Sequence, residues 1–324
     1  MSENSLDNKE KDFFLKVCVD IDAWDALVRE SQQGHVFSRS SFLRSLNCNF
    51  ACYEVMNKNK ETVAGVVVIE ESGRMAQAPF MFCPHQGVIF SRKISDLNTQ
   101  KRIVIEYRIT DFLIQNLLKI YKNFSMSLSP FVKDLRPYLW HNYGADVVFD
   151  VRQKYTAHLS LVNFDLNQYL NKIRAVRRQE YKKSNSIITK SDNIDLFLNM
   201  YVKTFDRQLI EVNDGILRIV RDICMTALRE GYGYLSCAMV DGRAASMSFI
   251  LLDESCAYYL FGVNDPEMRR SNASTKLMIE NLVNLAAQGV GKFDFVGVNS
   301  PQRGDYKLSF GPELVPYQEV HLFI

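Results

Sequence analysis

The stretch from residue 292 to residue 313, KFDFVGVNSPQRGDYKLSFGPE, holds the side chain best suited to chemistry. It begins with apolar residues typical of a buried strand, continues into a polar loop with Pro301 and Gly304, and then sets Lys307 between aromatic residues. A lysine in such a place can neutralise a phosphate or stabilise a carbonyl oxygen that gains negative charge during a reaction. The alternative is a lysine that only closes a loop onto solvent.

Two further candidates, Asp294 and Tyr259, lie in predicted strands. Asp294 alternates with Phe293 and Phe295, so its carboxylate faces either a site or the solvent. The hydroxyl of Tyr259 can hold an acyl carbonyl, but a tyrosine in a strand is also an ordinary sheet or core residue.

The sequence offers no convincing nucleophile paired with a base. The G-x-S-x-G motif is absent, and no cysteine has a histidine partner indicated by spacing. His85, in the turn-rich segment CPHQG, is the best placed of the scattered histidines for a general base. A zinc site from Cys48, Cys52 and His85 fits poorly because no second cysteine pair follows, so we predict no metal.

Residues 163–186 predict a helix with one strongly basic face. Leu166, Leu170 and Ile173 follow a helical spacing on its apolar side. The opposite side carries the cations Lys172, Arg174, Arg177, Arg178, Lys182 and Lys183. Such a face is either a solvated helix surface or an anion-binding wall for phosphates or a polynucleotide.

A second predicted helix, from about residue 193, ends in polar side chains that include Thr204 and Arg207. The helix macrodipole favours a cation at this end whether or not it binds a ligand. Function and structure are therefore both open for Arg207.

The elements around these residues repeat one plan in the two halves of the chain: hairpin, strand, long amphipathic helix and strand. The main predicted ranges are 51–56, 62–70, 97–121 and 125–130 in the first half, and 233–240, 244–252, 272–288 and 293–298 in the second. A helix that returns the chain to a strand usually makes a crossover within a mixed sheet. The pattern predicts two α+β domains, residues 1–160 and 161–324, each with a mixed sheet and flanking helices.

Composition narrows the class of protein. The 324 residues are 47% hydrophobic, enough for two cores, and the formal net charge is only +2, so no global field attracts DNA or an anionic membrane. The first residues lack the apolar core of a signal peptide, and apolar runs are strand-sized. Seven cysteines, an odd number and mostly in apolar segments, are typical of reduced thiols. These features favour a cytoplasmic protein.

Several motifs together resemble the Fem-type transferases, which are grouped with a GNAT-like acetyltransferase family. They are the basic helix IRAVRRQEYKKS, then YVKTFDRQ, a helix that opens at RRSNASTKLM, and the final FDFVGVNSPQRGDYKLSFGPE. The resemblance covers residues 30–320 and is most specific after residue 165. It implies two tandem GNAT-like domains and transfer of an acyl or aminoacyl group to an amine of a cell-envelope precursor.

The resemblance also implies roles for particular residues. Lys307, Tyr259 and Asp294 are expected to be catalytic. Residues expected to bind the substrate are Thr204, Arg207, Arg174, Arg178 and Phe310. The stretch Arg269 to Ser274 matches the position of the GNAT pyrophosphate loop, so Arg269, Asn272 and Ser274 are expected to bind the donor. This stretch keeps an arginine and small residues but lacks both glycines of the usual motif.

The expected activity is an N-acyltransferase that moves an acetyl or another small acyl group from acyl-CoA, with no tightly bound cofactor. The expected acceptor is an amino sugar or peptide precursor, either a small molecule or linked to a lipid, which would bring the protein to the inner face of the membrane. An aminoacyl-tRNA donor and a non-catalytic module that binds RNA or phosphate are the alternatives. The oligomeric state stays open.

Overall fold

The computed structural model of this chain describes residues 12–206 and 210–323. They fall into two units: unit 1, Met1–Lys154 with Pro316–Ile324, and unit 2, Tyr155–Val315. The division predicted from the sequence was 1–160 and 161–324. In the structure the last strand of the chain belongs with the first unit, so unit 1 is discontinuous in sequence and unit 2 is continuous.

Unit 1 contains the predicted order of hairpin, strand, helix and strand. Its elements are β1 (Phe13–Val17), α1 (Ile21–Glu30), α2 (Ser40–Ser45), β2 (Asn49–Asn57), β3 (Thr62–Glu71), β4 (Arg74–Met75), β5 (Gly87–Phe90), α3 (Arg92–Ser95), α4 (Thr99–Ile120), β6 (Asn123–Ser127), α5 (Arg136–Leu139) and the first part of β7 (Asp150–Ser160).

The sheet of unit 1 runs β1-β2-β3-β4, with β5 also paired to β3, and all of these pairs are antiparallel. The long helix α4 then carries the chain to β6, and Leu128, directly after β6, forms a parallel bridge with Gln86, directly before β5. Ile109, Leu113 and Leu117 of α4 are buried in one core with the apolar residues of β2 and β3. The sheet is thus mixed and covered by a helix, as predicted.

Unit 2 begins within β7 and repeats the plan. Its elements are α6 (Leu166–Lys172), α7 (Ala175–Lys183), β8 (Ile187–Lys190), α8 (Ile194–Asp206), α9 (Asp214–Arg229), β9 (Gly233–Val240), β10 (Arg243–Leu252), β11 (Cys256–Asn264), a 3₁₀ turn (Pro266–Ser271), α10 (Ala273–Ala287), β12 (Lys292–Asp294), α11 (Pro301–Leu308) and the start of β13 (Glu313–Phe323). The later residues of β13 pair with β6 in unit 1.

The strand order of unit 2 is β7-β12-β11-β10-β9-β8. Only β11 and β12 are parallel to each other, because α10 connects them as a crossover. The predicted hairpin is β9 with β10, and its turn residues Asp241 and Gly242 both have positive φ, as an Asp-Gly turn requires. Phe293, Phe295 and Phe310 form the centre of the core together with the apolar face of α10. The prediction of an α+β fold with mixed sheets is confirmed.

Three local predictions were wrong. The basic segment 163–186 is two helices, because Ile173 is extended and the Arg174 N–H donates to the carbonyl of Ser309. The strand predicted at 293–298 stops at Asp294, because Val296 and Gly297 adopt left-handed backbone conformations with φ of 47° and 57°.

Lys307 lies in α11 rather than on a loop. Ser300 is the N-cap of this helix and Pro301 occupies its first turn, where a missing N–H costs nothing. Gly304 permits the close approach of α11 to the preceding chain, since a Cβ there would lie 2.6 Å from the carbonyl oxygen of Val298. Within the described residues, no helix combines the length and the apolar character needed to cross a bilayer.

Candidate active site

A cavity of about 420 Å³ opens in unit 2 where β11 and β12 separate. The two strands pair over only three residues each, from Cys256 to Tyr258 on β11 and from Lys292 to Asp294 on β12. Beyond Tyr258, β11 continues to Asn264 while the other chain turns away at Val296. The gap is bounded by the second half of β11, the beginning of α10 and one side of α11. Parallel strands that diverge in this way leave a cleft at their carboxyl ends.

The N-terminus of α10 forms one end of the cavity. Asn272 is the N-cap and has a left-handed conformation, so the chain enters the helix abruptly and Ala273 and Ser274 line the cavity. The first N–H groups of a helix lack carbonyl partners within it, and the helix dipole adds positive potential there. Arg269 in the preceding 3₁₀ turn also lines the cavity and is exposed. This end is therefore suited to a phosphate.

The strand β11 shapes the middle of the cavity through a bulge. Its pairing with β10 shifts between Phe249 and Ile250, which leaves Leu260 outside the regular register. The side chain of Tyr259 then lies across Gly262: a Cβ on Gly262 would be 1.8 Å from the Tyr259 hydroxyl. Glycine at 262 is thus required for the position of this tyrosine. Burial raises the pKa of the Tyr259 hydroxyl far above its ordinary value, so the group is a hydrogen-bond donor and not a base.

Helix α11 supplies the cation. Lys307 is half-buried, its ammonium group lies 5.4 Å from the centre of the Tyr259 ring, and its Nζ donates a hydrogen bond to the carbonyl of Val296. Burial lowers the pKa of Lys307 to about 7; the carboxylate of Asp294 opposes this shift and Arg303 adds to it. The amine can therefore gain or lose a proton near neutral pH, which is the range that suits acid–base and oxyanion chemistry.

The charges around the cavity favour an anion. Arg269, Arg303 and Lys307 line it, and Asp265 is the acidic residue among the lining side chains. Asp265 is buried and lies 3.8 Å from both Lys203 and Arg243, so neighbouring cations offset its charge. The cavity therefore combines a positive rim with an apolar and aromatic interior.

Five of the residues predicted from the sequence line this one cavity. They are Thr204, Tyr259, Arg269, Ser274 and Lys307. Thr204 joins α8 to the strand: its hydroxyl accepts from the Asn264 N–H at 3.0 Å and donates to the Met200 carbonyl at 2.8 Å. Two residues stand just behind the wall. Asn272 is the N-cap of α10, and Phe310 is completely buried against Phe295, so Phe310 supports the site from the core rather than from its surface.

Asp294 also lies behind the cavity. It is 1% exposed, and the lining residues do not include it. Its Oδ1 accepts from the Val296 N–H at 2.8 Å and from the Thr156 hydroxyl, and its Oδ2 lies 3.2 Å from His158 Nε2. Direct contact with a substrate in the cavity would require this network to open.

Several cations of the basic face already pair with acidic side chains or a backbone carbonyl of unit 2. Arg174 pairs with Asp305 at 2.7 Å, and Arg178 Nη1 lies 3.4 Å from the Leu170 carbonyl. Arg177 is held by Glu180 at 2.5 Å and stacks 4.7 Å from the Tyr306 ring. Lys172, Lys182 and Lys183 stay exposed. The substrate role predicted for Arg207 lies outside the described residues and stays a prediction.

Sequence reasoning missed several residues of the site. Gln302, Arg303 and Tyr306 line the cavity from the same side of α11 as Lys307, a grouping that becomes visible only once the segment is known to be a helix. Tyr306 hydrogen-bonds to the Ser274 side chain and so ties α11 to the beginning of α10. Helical spacing of 302, 303, 306 and 307 was the available signal, and the prediction of a loop concealed it.

The structure gives little support to the other chemical roles considered from the sequence, which involved the cysteines, His85 and a metal site. Burial raises the pKa of Cys48 to about 11 and that of Cys52 to about 12, so neither thiol is a ready nucleophile. His85 is buried in unit 1 beside Tyr317, 4.8 Å between ring centres. Among residues 12–206 and 210–323, no three histidine, cysteine or acidic side chains converge as a metal site would require.

Comparison with known proteins agrees with this geometry. Residues 166–308 match the family model of the acetyltransferase (GNAT) domain. Over these residues, unit 2 is similar to a GNAT-type acetyltransferase domain. This segment includes α10, both strands of the cleft and α11, so the family match covers the cavity. No curated protein sequence matches the chain.

The fold of the chain as a whole is that of Fem-type and tandem GNAT proteins. The crystal structure of FemX superposes with a TM-score of 0.68 at 11% identity, covering 94% of this chain and 96% of FemX. The C-terminal domain of a putative lysylphosphatidylglycerol synthetase from Agrobacterium fabrum gives 0.57 at 11% identity and covers 93% and 91%. A tandem GNAT protein from the clavulanic acid biosynthesis pathway gives 0.52 at 12% identity and covers 96% and 98%. The predicted resemblance is confirmed, and the chain is a tandem GNAT fold of the Fem-like kind.

Proposed function

We propose that the GNAT domain of this chain is an N-acyltransferase that takes a small acyl group, such as acetyl, from acyl-CoA and transfers it to an amine of a cell-envelope sugar or peptide precursor. The observation that carries the proposal is one cavity that joins a helix N-terminus and Arg269 at one end to Tyr259 and Lys307 at the other. The first end suits the pyrophosphate of CoA, and the second end suits the thioester carbonyl.

The reaction requires that the acyl donor and the acceptor amine be held in contact and that the negative charge on the carbonyl oxygen be stabilised. The neutral acceptor amine attacks the thioester carbonyl carbon, and a C–N bond forms while the carbonyl oxygen becomes negative. The attacking nitrogen, now positively charged, loses a proton. The carbonyl then re-forms, the C–S bond breaks, and the sulfur takes up a proton and leaves as the CoA thiol. Lys307, in its ammonium form, donates to the developing oxyanion, and the Tyr259 hydroxyl donates to the same region. The attraction between this ammonium group and the developing negative charge is stronger than it would be in bulk water, because burial reduces screening by solvent.

The absence of the two usual glycines does not remove the phosphate end of the site. Ala273 and Ser274 are small, and the abrupt entry into α10 at the left-handed Asn272 brings their backbone to the cavity wall. Arg269 supplies a charge that can pair with phosphate oxygens. These residues support acyl-CoA over aminoacyl-tRNA, because much of the basic face is already engaged by Asp305, Glu180 and backbone carbonyls.

The envelope acceptor rests on likeness in fold. One structural relative is named a lysylphosphatidylglycerol synthetase, after an aminoacylated phospholipid. This supports an acceptor that belongs to the cell envelope, whereas the amine as the acceptor group is proposed from the acyl-transfer chemistry of the cavity. An acceptor linked to a lipid would reach the cavity without an anchor in the protein.

The first test is ligand-dependent stability. Acetyl-CoA at a hundred times its dissociation constant should add about 2.7 kcal/mol to the free energy of unfolding. Ser274→Glu places a carboxylate where the phosphates would lie and should abolish the gain. Ser160→Glu, at an exposed serine of the same unit outside the cavity, should retain it.

Turnover is measured next, as release of the CoA thiol in the presence of amino sugars, nucleotide-linked amino sugars and peptides. Stabilisation by uncharged tRNA alone, with none by CoA compounds, would overturn the acyl-CoA proposal in favour of the aminoacyl donor. Stabilisation by no donor, with RNA affinity that falls steeply with salt, would indicate a binding module instead.

A further inference from the structure

The chain leaves β12 through a strained turn directly behind the cavity. Val296 has a φ of 47° and Gly297 a φ of 57°. Glycine adopts this conformation freely, but a β-branched valine does so only when its surroundings hold it there. Val296 is buried, and Gly297 is exposed beside the Lys307 amine: a Cβ on Gly297 would be 3.7 Å from Nζ. Strain of this kind concentrates at functional sites.

Two charged side chains hold the strained residue from opposite ends. The Val296 N–H donates to Asp294 Oδ1 at 2.8 Å, and the Val296 carbonyl accepts from Lys307 Nζ. The ammonium group is thus positioned by a carbonyl whose own direction is fixed by Asp294. Without the first bond, the turn would be free to relax and the carbonyl would rotate away from Lys307.

Asp294 is itself fixed by the neighbouring strand. Residue 294 pairs with residue 158 of β7, the Thr156 hydroxyl donates to Oδ1, and His158 Nε2 lies 3.2 Å from Oδ2. Thr156 and Asp294 are each 1% exposed. A carboxylate so deeply buried keeps its charge only when hydrogen bonds and a nearby cation compensate it.

The charged and titratable groups near the pair are few. Lys307 is faced by Asp294 at the end of β12, by Arg303 on its own helix and by the ring of Tyr259 on β11. Asp294 is faced by His158 on β7 and by Cys256 and Tyr258 on β11. Burial raises the pKa of both Cys256 and Tyr258, so both are neutral near pH 7. Asp294 is therefore the anion that supports the charged form of Lys307.

We propose that Asp294 is a positioning residue, which fixes Lys307 in the cavity through Val296 and keeps its amine protonated, and that His158 helps to hold the Asp294 carboxylate in place. This assigns to Asp294 a different role from the direct catalysis expected from the sequence. The link to turnover rests on the proposed function, whereas the link between Asp294 and the state of Lys307 does not.

The decisive variant is Asp294→Asn. The amide oxygen can still accept from Val296 and Thr156, so the shape of the turn is retained while the negative charge is lost. Asp305→Asn is the matched control, because Asp305 lies on α11 two residues from Lys307 but pairs with Arg174 on the surface. The readout is the titration of the Lys307 amine itself, measured by competitive labelling with acetic anhydride and mass spectrometry of the labelled peptide. The pH runs from about 5, roughly two units below the expected midpoint of Lys307, to about 11, just above the ordinary pKa of a lysine.

In Asp294→Asn the midpoint of Lys307 labelling should fall by about one pH unit, because the opposite charge that favours the ammonium form is lost. It should stay where it is in Asp305→Asn. Equal midpoints in folded Asp294→Asn and the wild type would overturn the proposal. Thr156→Val is the second variant if Asp294→Asn does not fold: it loosens the carboxylate and keeps the charge, and a Lys307 labelling profile identical to that of the wild type would also count against the proposal.

The labelling needs no acyl donor, so the two proposals fail separately. A shifted Lys307 midpoint with no acyl transfer by the wild type would refute the proposed function alone. Acyl transfer by the wild type with an unshifted midpoint would refute the role of Asp294 alone. If both proposals are correct, Asp294→Asn should lower kcat and shift the pH dependence of kcat, while the KM for the donor stays unchanged. Partial unfolding of the variant would not shift the pH dependence of kcat in this way.

Discussion

Replacing Lys307 with methionine is expected to make the protein more stable and less active. Methionine keeps the unbranched stem beside the Tyr259 ring and removes the amine. Burial holds the pKa of Lys307 at about 7, against 10.5 for a free lysine, so near pH 7 the folded state carries a penalty of about 4 kcal/mol. Loss of the hydrogen bond to the Val296 carbonyl destabilises the variant by about 1 kcal/mol. The net expected gain is about 3 kcal/mol.

The pH dependence gives the sign of this effect. Between pH 7 and 10.5 the unfolded chain holds a proton that folded Lys307 has lost, so the wild type gains stability as the pH rises, by at most about 1.4 kcal/mol per pH unit. Below pH 7 both states are protonated and the penalty is constant. The advantage of Lys307→Met should therefore be greatest below pH 7 and fade towards pH 10.5.

The assay must follow unit 2 in particular. The chain has two tryptophans, Trp24 and Trp140, and both lie in unit 1, so tryptophan fluorescence would report the wrong unit. Hydrogen exchange of peptides from β10, β11 and α10 in urea, at pH values on both sides of 7, measures the unit that contains Lys307. Lys182→Met, at an exposed lysine of α7, is the control and should change stability little.

Activity supplies the second half of the prediction. Loss of an oxyanion donor typically reduces kcat by a factor of about 10² to 10³. Wild-type turnover that needs the ammonium form should fall above pH 7, where that form disappears. A variant that is less stable than the wild type, or one with the same pH slope, would refute the electrostatic reasoning. Undiminished turnover would refute the catalytic role.

Three other substitutions test the cavity wall and the core behind it. Ser274→Glu should raise the KM for acyl-CoA by at least about tenfold while leaving stability equal or higher, because an acidic residue suits a helix N-terminus; a donor KM that stays the same would exclude this end as the phosphate site. Gly262→Ala should displace Tyr259 and lower kcat more than Tyr259→Phe does, and equal activities would contradict the contact between them. Phe310→Ala should cost about 3–5 kcal/mol in urea unfolding, and a loss near 1 kcal/mol or less would contradict its place in the core.

Much of the fold could be predicted because its signals are local. The hairpin of β9 and β10 follows from two apolar runs around an Asp-Gly turn, and α10 follows from a 15-residue helical pattern with short connections on either side. The break at Ile173 could not be predicted in this way. It depends on a backbone bond from Arg174 to Ser309, more than a hundred residues away in the chain.

The candidate site could be predicted in part. Arg269 and Ser274 were predicted through the resemblance of their stretch to the GNAT pyrophosphate loop, and Lys307 through its place between aromatic residues. Gly262 was not predicted because its role is to leave space for the Tyr259 side chain, and no sequence pattern indicates that a side chain elsewhere needs this space. The Asp294 network escaped because it depends on the register between β12 and β7, two strands that are more than a hundred residues apart.

The return of the last strand to unit 1 has a consequence for the order in which the two halves mature. Val320 and Leu322 of β13 are 0% and 1% exposed in the core of unit 1, and their strand pairs with β6. During synthesis these residues emerge from the ribosome after the whole of unit 2. Unit 2, continuous in sequence, therefore has all of its own residues before unit 1 does, although most of unit 1 precedes it in the chain. We therefore expect unit 2 to fold before unit 1, which reverses the usual order from the N-terminus.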